Sequence, residues 1–201
     1  MDPGPHLFWI TSRAAGFTAL LAASLSVGVG IASLPRMRLG RDRRADMRPL
    51  HEALSLTTLV AIAVHGLALL GDGYLNPGLA GIAVPFAGSY RSLWTGIGII
   101  GGYGLAVLGL SYYARSWIGS TRWRMLHRFT VVFWLAAVVH SVAGGSDSTQ
   151  AWFLVIATVA VAPAAGMVIA RLADISAARR ARPGGIDLPA LDSAPQRGFT
   201  E

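Results

Sequence analysis

Residues 124–140 read RMLHRFTVVFWLAAVVH, an apolar segment with His127 near its start and His140 at its end. A second segment, HEALSLTTLVAIAVH, begins with His51 and ends with His65. Imidazole is costly in hydrocarbon unless it is paired, so histidines inside a membrane-spanning segment are candidate functional residues. Four of the five histidines of the chain therefore fall into two pairs that bracket apolar segments.

The spacing of these histidines matches the depth of a bilayer. They lie 14 residues apart in one segment and 13 in the other. At about 1.5 Å per helical residue, the two histidines of each helix are roughly 20 Å apart along its axis. A hydrocarbon core is about 30 Å thick, so one histidine lies near each face. Two such helices side by side present two facing histidine pairs, which can hold a haem iron.

The composition is that of a membrane protein, with 53% hydrophobic and 13% charged residues. The chain has no cysteine, so a redox metal must be held by histidine or by oxygen ligands. All 17 basic residues are arginine, and they fall in the short loops between apolar segments, which excludes a nucleic-acid interpretation. The use of arginine without lysine favours a GC-rich bacterial genome, and hence a bacterial plasma membrane.

The hydropathy pattern predicts an all-α integral membrane bundle of about five transmembrane helices. Six arginines between residues 36 and 48 mark the first loop as cytoplasmic, which predicts the N-terminus outside and the C-terminus inside. Residues 1–172 form the predicted membrane domain, and residues 173–201 form a cytoplasmic tail that is largely disordered. The predicted spans are residues 14–34, 49–70, 93–114, 124–144 and 151–170.

In this topology the second and fourth spans both run outward. They predict an inner haem on His51 and His127 and an outer haem on His65 and His140. Ligation by two histidines leaves no open position on the iron, which favours electron transfer over ligand binding. Thirteen residues are not a whole number of helical turns. Either His127 lies in a frayed or loosened first turn, or the two haems meet this helix at different angles.

Arginines near each level are candidate partners of the anionic haem propionates. Arg124, Arg128 and Arg48 lie within a turn of the inner histidines, where positive-inside placement explains them equally well. Arg13 and Arg91 lie on the outer side, where topology does not require arginine. They either bind the outer propionates or attract an anionic acceptor.

Other residues between and above the histidines have two interpretations each. Gly98 and Gly102 form a small-xxx-small pair, which indicates close helix packing or room for a flat cofactor. Phe133 and Trp134 either pack in the core or lie between the two haem levels on the path of the electrons. The apolar loop at residues 71–92 is predicted to lie on the outer face and to cap whatever is bound beneath.

The chain resembles the ferric reductase-like transmembrane domain, the haem core of iron reductases, NADPH oxidases and the haem subunit of the bacterial methionine sulfoxide reductase system. The resemblance covers residues 8–172. It rests on the two histidine pairs, on WRMLHR at residues 123–128, and on VPF followed by YR at residues 84–91. It implies two stacked b-type haems that carry electrons from a cytoplasmic donor across the membrane.

The chain departs from the reductases and oxidases because residues 173–201 hold no glycine-rich dinucleotide fingerprint. It therefore resembles the stand-alone haem subunits, which depend on a separate donor, and it has five predicted spans where the oxidase relatives have six. The expected function is electron transfer from a cytoplasmic flavoprotein or a quinone to an outer acceptor, which is a ferric chelate, oxygen or a partner protein. The alternatives are a haem-free membrane anchor or assembly subunit, and a haem-binding sensor or carrier.

Overall fold

The computed structural model describes residues 6–33, 47–73 and 75–180, which form helices and connecting turns with no strand among them. A 3₁₀ turn at Leu69–Gly71 extends the second helix. The helices are α1 (Leu7–Ala32), α2 (Met47–Ala68), α3 (Gly78–Ala83), α4 (Ser92–Leu110), α5 (Arg115–Ile118), α6 (Ser120–His127), α7 (Thr130–Gly144) and α8 (Ala151–Arg180).

Five segments in these described ranges are long and apolar enough to cross a membrane, which confirms the predicted number of spans and the all-α class. They are Leu7–Ala32, Met47–Gly71, Ser92–Leu110, Ser120–Gly144 and Ala151–Ala178. Large apolar side chains cover the outside of the bundle, and Val60, Val107 and Val159 are each more than 60% exposed. A continuous apolar exterior of this kind suits lipid rather than water.

The start of the first span and the end of the fifth differ most from the prediction. α1 begins at Leu7, because the polar side chains of its first turns find partners on other elements. α8 continues to Arg180, so the predicted disorder is wrong for residues 173–180. Alanine and arginine are strong helix formers, and neither glycine nor proline interrupts this stretch. Residues 181–201 and the arginines at residues 36–44 lie outside the described residues.

The core lies where α1 and α7 meet α4 and α8. Trp134 has no exposed surface and packs with Ala23, Leu105 and Ala164. Its Nε1–H donates a hydrogen bond to the Ser24 hydroxyl at 3.1 Å. Trp134 is therefore a core residue, as one of the two interpretations of the sequence predicted.

Replacing Ser24 with alanine leaves this buried indole N–H without its acceptor. We expect Ser24→Ala to lower the free energy of unfolding by about 1–3 kcal/mol, the cost of an unsatisfied buried polar group. The control is Ser33→Ala, because the partners of the exposed Ser33 hydroxyl among the described residues are the Val29 carbonyl of its own helix and the Met47 sulfur. Thermal unfolding in detergent measures both. Equal midpoints for the two variants would contradict a stabilising role for the Trp134 hydrogen bond.

The fourth span is broken directly after His127, where α6 ends and before α7 begins at Thr130. Three backbone hydrogen bonds here join residues three apart, which is the pattern of a 3₁₀ helix. They run from the N–H groups of Phe129, Val131 and Val132 to the carbonyls of Leu126, Arg128 and Phe129.

This turn brings His127 and His140 toward one face. Thirteen residues of regular α-helix fall about 140° short of a whole number of turns. A 3₁₀ residue advances about 120° instead of about 100°, so three of them recover about 60° of the shortfall. The predicted irregularity at His127 is present, but the turn is tightened rather than loosened.

Candidate functional site

The structure brings the four histidines together as two facing pairs. The ring centroids of His51 and His127 are 6.1 Å apart, with an angle of 85° between the ring planes. Those of His65 and His140 are 6.3 Å apart, with an angle of 69°. In each pair one ring comes from α2 and the other from the α6–α7 segment. These are the two histidine pairs that the sequence predicts.

The separation within each pair fits an iron atom held between two imidazole nitrogens. With metal–nitrogen bonds of about 2.0–2.1 Å and roughly 1 Å from nitrogen to ring centre, two axial imidazoles have centroids about 6 Å apart. The observed distances are 6.1 and 6.3 Å. Within the described ranges no group of three or more His, Cys, Asp or Glu side chains could hold a bare metal ion. A haem iron needs only two protein ligands, because the porphyrin supplies four nitrogens.

Three of the four imidazoles are held in one tautomer by a neighbouring helix. The Nδ1–H of each donates to a backbone carbonyl, which leaves the Nε2 lone pair available as a metal ligand. Among the described residues, Nε2 of these three rings makes no hydrogen bond. The Nδ1–oxygen distances are 3.0 Å for His51 to Ser26, 2.8 Å for His65 to Ser12 and 2.9 Å for His140 to Trp94.

His127 is held differently, by ring stacking. Trp123 lies parallel to it, with centroids 4.9 Å apart and planes 23° apart, and donates its own Nε1–H to the Ser111 hydroxyl at 3.1 Å. Within the described part of the chain, the buried Nδ1 of His127 has no hydrogen-bond partner. The Leu108 carbonyl lies beside the His127 ring. In the sequence Trp123 counts only as part of the WRMLHR motif and has no predicted role of its own, although its i, i+4 spacing to His127 indicates a contact.

Trp123 is also one ring of an aromatic column that leads to His127. Exposed Tyr113 contacts Tyr112 at 5.4 Å between centroids, and Tyr112 contacts Trp123 at 5.8 Å. The Tyr113 hydroxyl donates to the Glu52 carboxylate at 3.1 Å, and this hydrogen bond raises the pKa of Tyr113. A series of ring contacts therefore joins the surface to the His51–His127 pair.

Two glycines on α1 make room for the histidines of α2. A Cβ atom at Gly16 would lie 3.1 Å from Nδ1 of His65. A Cβ atom at Gly30 would lie 3.2 Å from Cε1 of His51. Both distances are shorter than ordinary van der Waals contact, so glycine at these positions lets α1 and α2 approach while the rings keep their orientation.

The glycines of α4 allow close packing against α7, one of the two interpretations of the sequence. A Cβ atom at Gly101 would lie 3.1 Å from the Phe133 carbonyl oxygen of α7, so glycine at this position lets the two helices pack closely. A Cβ at Gly98 would instead overlap the ring of His140. Gly98 and Gly102 also line a cavity beside the His65–His140 pair.

This cavity has a volume of about 1510 Å³ and is lined by His65, His140 and Trp134 together with residues between 72 and 90. Cofactor and ligand sites usually measure about 300–1,000 Å³, so the space is large enough for a porphyrin-sized group. The Tyr103 hydroxyl of α4 ties α3 to the bundle through the Ala83 carbonyl at 2.6 Å. The loop predicted to cap the bound group therefore borders the cavity.

The two arginines near the His65–His140 end already have partners. Arg13 forms an ion pair with Asp147, donates to it from Nε at 2.8 Å, and lies 4.0 Å above the Trp9 ring. Arg91 donates to the Ala143 carbonyl at 2.9 Å. Since the charge of Arg13 is balanced by Asp147, this residue gives little support to the predicted attraction of an anionic acceptor.

The arginines near the His51–His127 pair are all exposed. Arg124 donates to the Thr121 hydroxyl at 3.3 Å, and no ion pair forms at Arg48 or Arg128 within the described ranges. Their positions fit both interpretations of the sequence, as propionate partners or as charges that orient the protein in a bilayer.

Comparisons with protein-family models, with curated proteins and with solved structures gave no match. The resemblance based on sequence motifs therefore stays a prediction. The features of the molecule that point to a function are the geometry of the two histidine pairs and the hydrogen bonds that orient them.

Proposed function

We propose that the chain is a transmembrane electron-transfer protein that binds two b-type haems, one between His51 and His127 and one between His65 and His140. The observation that carries this proposal is the facing geometry of both pairs, at 6.1 and 6.3 Å between ring centroids. Hydrogen bonds at Nδ1 support it further, because they leave Nε2 of three rings free for ligation.

Haem bound at these positions supplies one-electron chemistry at each level. Each histidine pair would hold the haem iron through its two imidazole nitrogens and so would exclude other ligands. The carbonyls of Ser12, Ser26 and Trp94 fix the imidazole orientation, which keeps the reorganisation that accompanies electron transfer small. The buried Trp134 fills the core between the two levels.

In the proposed topology the N-terminus is outside and the C-terminus is inside, with the His51–His127 pair near the cytoplasmic face. The arginine-rich stretch at residues 36–48 supports this orientation. The aromatic column from Tyr113 to Trp123 gives electrons a route to His127 from a separate cytoplasmic flavoprotein or from a quinone. The outer acceptor is a ferric chelate, oxygen or a partner protein, and the chain is a ferric reductase-like subunit of a bacterial plasma membrane.

The test is an optical spectrum of the protein purified in detergent from haem-replete cells, oxidised and then reduced with dithionite. We expect low-spin b-type bands and about two haems per chain by pyridine haemochrome assay, the number of ligand pairs. A colourless protein would overturn the proposal and favour the haem-free anchor. Haem that a reductant on the cytoplasmic side of inside-out vesicles cannot reduce would favour the sensor or carrier instead.

A further inference from the structure

α1 carries a repeated Ser-x-x-x-Gly pattern, Ser12 with Gly16 and Ser26 with Gly30. The two copies lie 14 residues apart, as do the two histidines of α2. Because α1 and α2 pack along each other in opposite directions, each copy of the pattern meets one histidine. Both ligands of α2 therefore have the same kind of neighbour on α1.

At the His65 level, His65 and Ser12 each donate a hydrogen bond to the backbone carbonyl of the other. Nδ1–H of His65 donates to the Ser12 carbonyl at 2.8 Å, and the Ser12 hydroxyl donates to the His65 carbonyl at 3.0 Å. The hydroxyl oxygen also lies 3.0 Å from Nδ1. The imidazole N–H thus faces two acceptor oxygens from one serine, which is itself buried.

The His51 level repeats this arrangement with one more hydroxyl. Nδ1–H of His51 donates to the Ser26 carbonyl at 3.0 Å, with the Ser26 hydroxyl oxygen 3.1 Å from the same nitrogen. That hydroxyl contacts the hydroxyl of Ser55 at 2.9 Å, and Ser55 donates to the His51 carbonyl at 2.8 Å. At the His65 level, Ser12 itself donates to the carbonyl of the histidine. At the His51 level, Ser55 makes this hydrogen bond.

The histidines of the fourth span have less support. Nδ1–H of His140 donates to one acceptor, the Trp94 carbonyl. Among the described residues, Nδ1 of His127 has no hydrogen-bond partner. Only the α1 side of each pair therefore places a side-chain oxygen beside Nδ1 that a substitution can remove. Acceptors at Nδ1–H increase the donor strength of Nε2, which stabilises ferric iron and lowers the reduction potential.

We propose that Ser12 and Ser26 are positioning residues that set the reduction potentials of the two haems through His65 and His51. This inference rests on the proposed function, since it requires bound haem. Replacing either serine by alanine keeps the backbone carbonyl and removes the hydroxyl acceptor. Each variant then raises the potential of the haem at its own level and leaves the other unchanged.

The experiment is a potentiometric titration of the full-length haem-loaded protein, followed optically, on Ser12→Ala and Ser26→Ala. We expect one of the two midpoint potentials to rise in each variant, a different one in each case. Ser33→Ala on the same helix shifts neither, because its hydroxyl is exposed and does not contact a histidine. Ser12→Thr and Ser26→Thr retain a hydroxyl and shift less than the alanine variants.

The outcomes separate the two proposals. Wild-type haem content with both potentials unchanged in Ser12→Ala and Ser26→Ala would overturn the positioning role and leave the electron-transfer function standing. Loss of one haem in an alanine variant whose threonine counterpart retains it would support positioning. A wild-type protein without haem would overturn the proposed function itself.

Discussion

Replacing His65 with alanine is expected to lower the haem content of the purified protein from about two per chain to about one. The variant removes one of the two nitrogens that hold the iron at that level, and the described residues near the pair offer no third metal ligand. The His51–His127 pair lies at the other end of α2 and keeps its own haem. Pyridine haemochrome quantification against protein concentration measures the ratio.

The matched control is His6→Ala, which removes the one histidine that belongs to neither pair. It should retain both haems. His51→Ala should also lose about one haem, but from the opposite level, so its remaining haem has the redox midpoint that His65→Ala lacks. Loss of both haems from either single variant would contradict two independent sites, as would full retention in both.

The histidine pairing could be predicted from the sequence because it depends on quantities that a helix fixes locally. A rise of about 1.5 Å per residue places histidines 14 or 13 residues apart at two depths, whatever surrounds them. The 3₁₀ turn after His127 could not be predicted in detail. Its form depends on contacts between elements, such as the hydrogen bond that Trp123, stacked on His127, donates to the Ser111 hydroxyl.

Partners that are distant in sequence were beyond prediction for the same reason. The 14-residue spacing of Ser12 and Ser26 was visible, but a serine in an apolar helix most often bonds its own backbone. Only the packing of α1 on α2 shows that these two serines meet histidines. The sequence offers a haem propionate or an anionic acceptor as the partner of Arg13. Its ion pair with Asp147, 134 residues away in the turn after α7, could not be predicted from local spacing.

Replacing Gly98 with alanine should remove the haem at the His65–His140 level, although only one methyl group is added. Its Cβ would overlap the ring of His140. The ring cannot easily move away, because its Nδ1 is bonded to the Trp94 carbonyl on the same helix as Gly98. We expect Gly98→Ala to retain about one haem per chain, since one of its two ligand pairs is disrupted. The haemochrome ratio measures this loss.

Gly109→Ala is the matched control, because Gly109 lies on the same helix but does not line the cavity. The nearest atom to its added Cβ is Cδ1 of Leu59 at 3.6 Å, an ordinary contact with a side chain. Both substitutions raise helix propensity by roughly 0.5–1 kcal/mol, so a difference between them cannot come from the stability of α4 itself. Equal haem content in the two variants would show that His140 does not hold iron in the orientation fixed by Trp94. Selective loss in Gly98→Ala would show that the space beside a ligand limits haem binding as strictly as the ligand does.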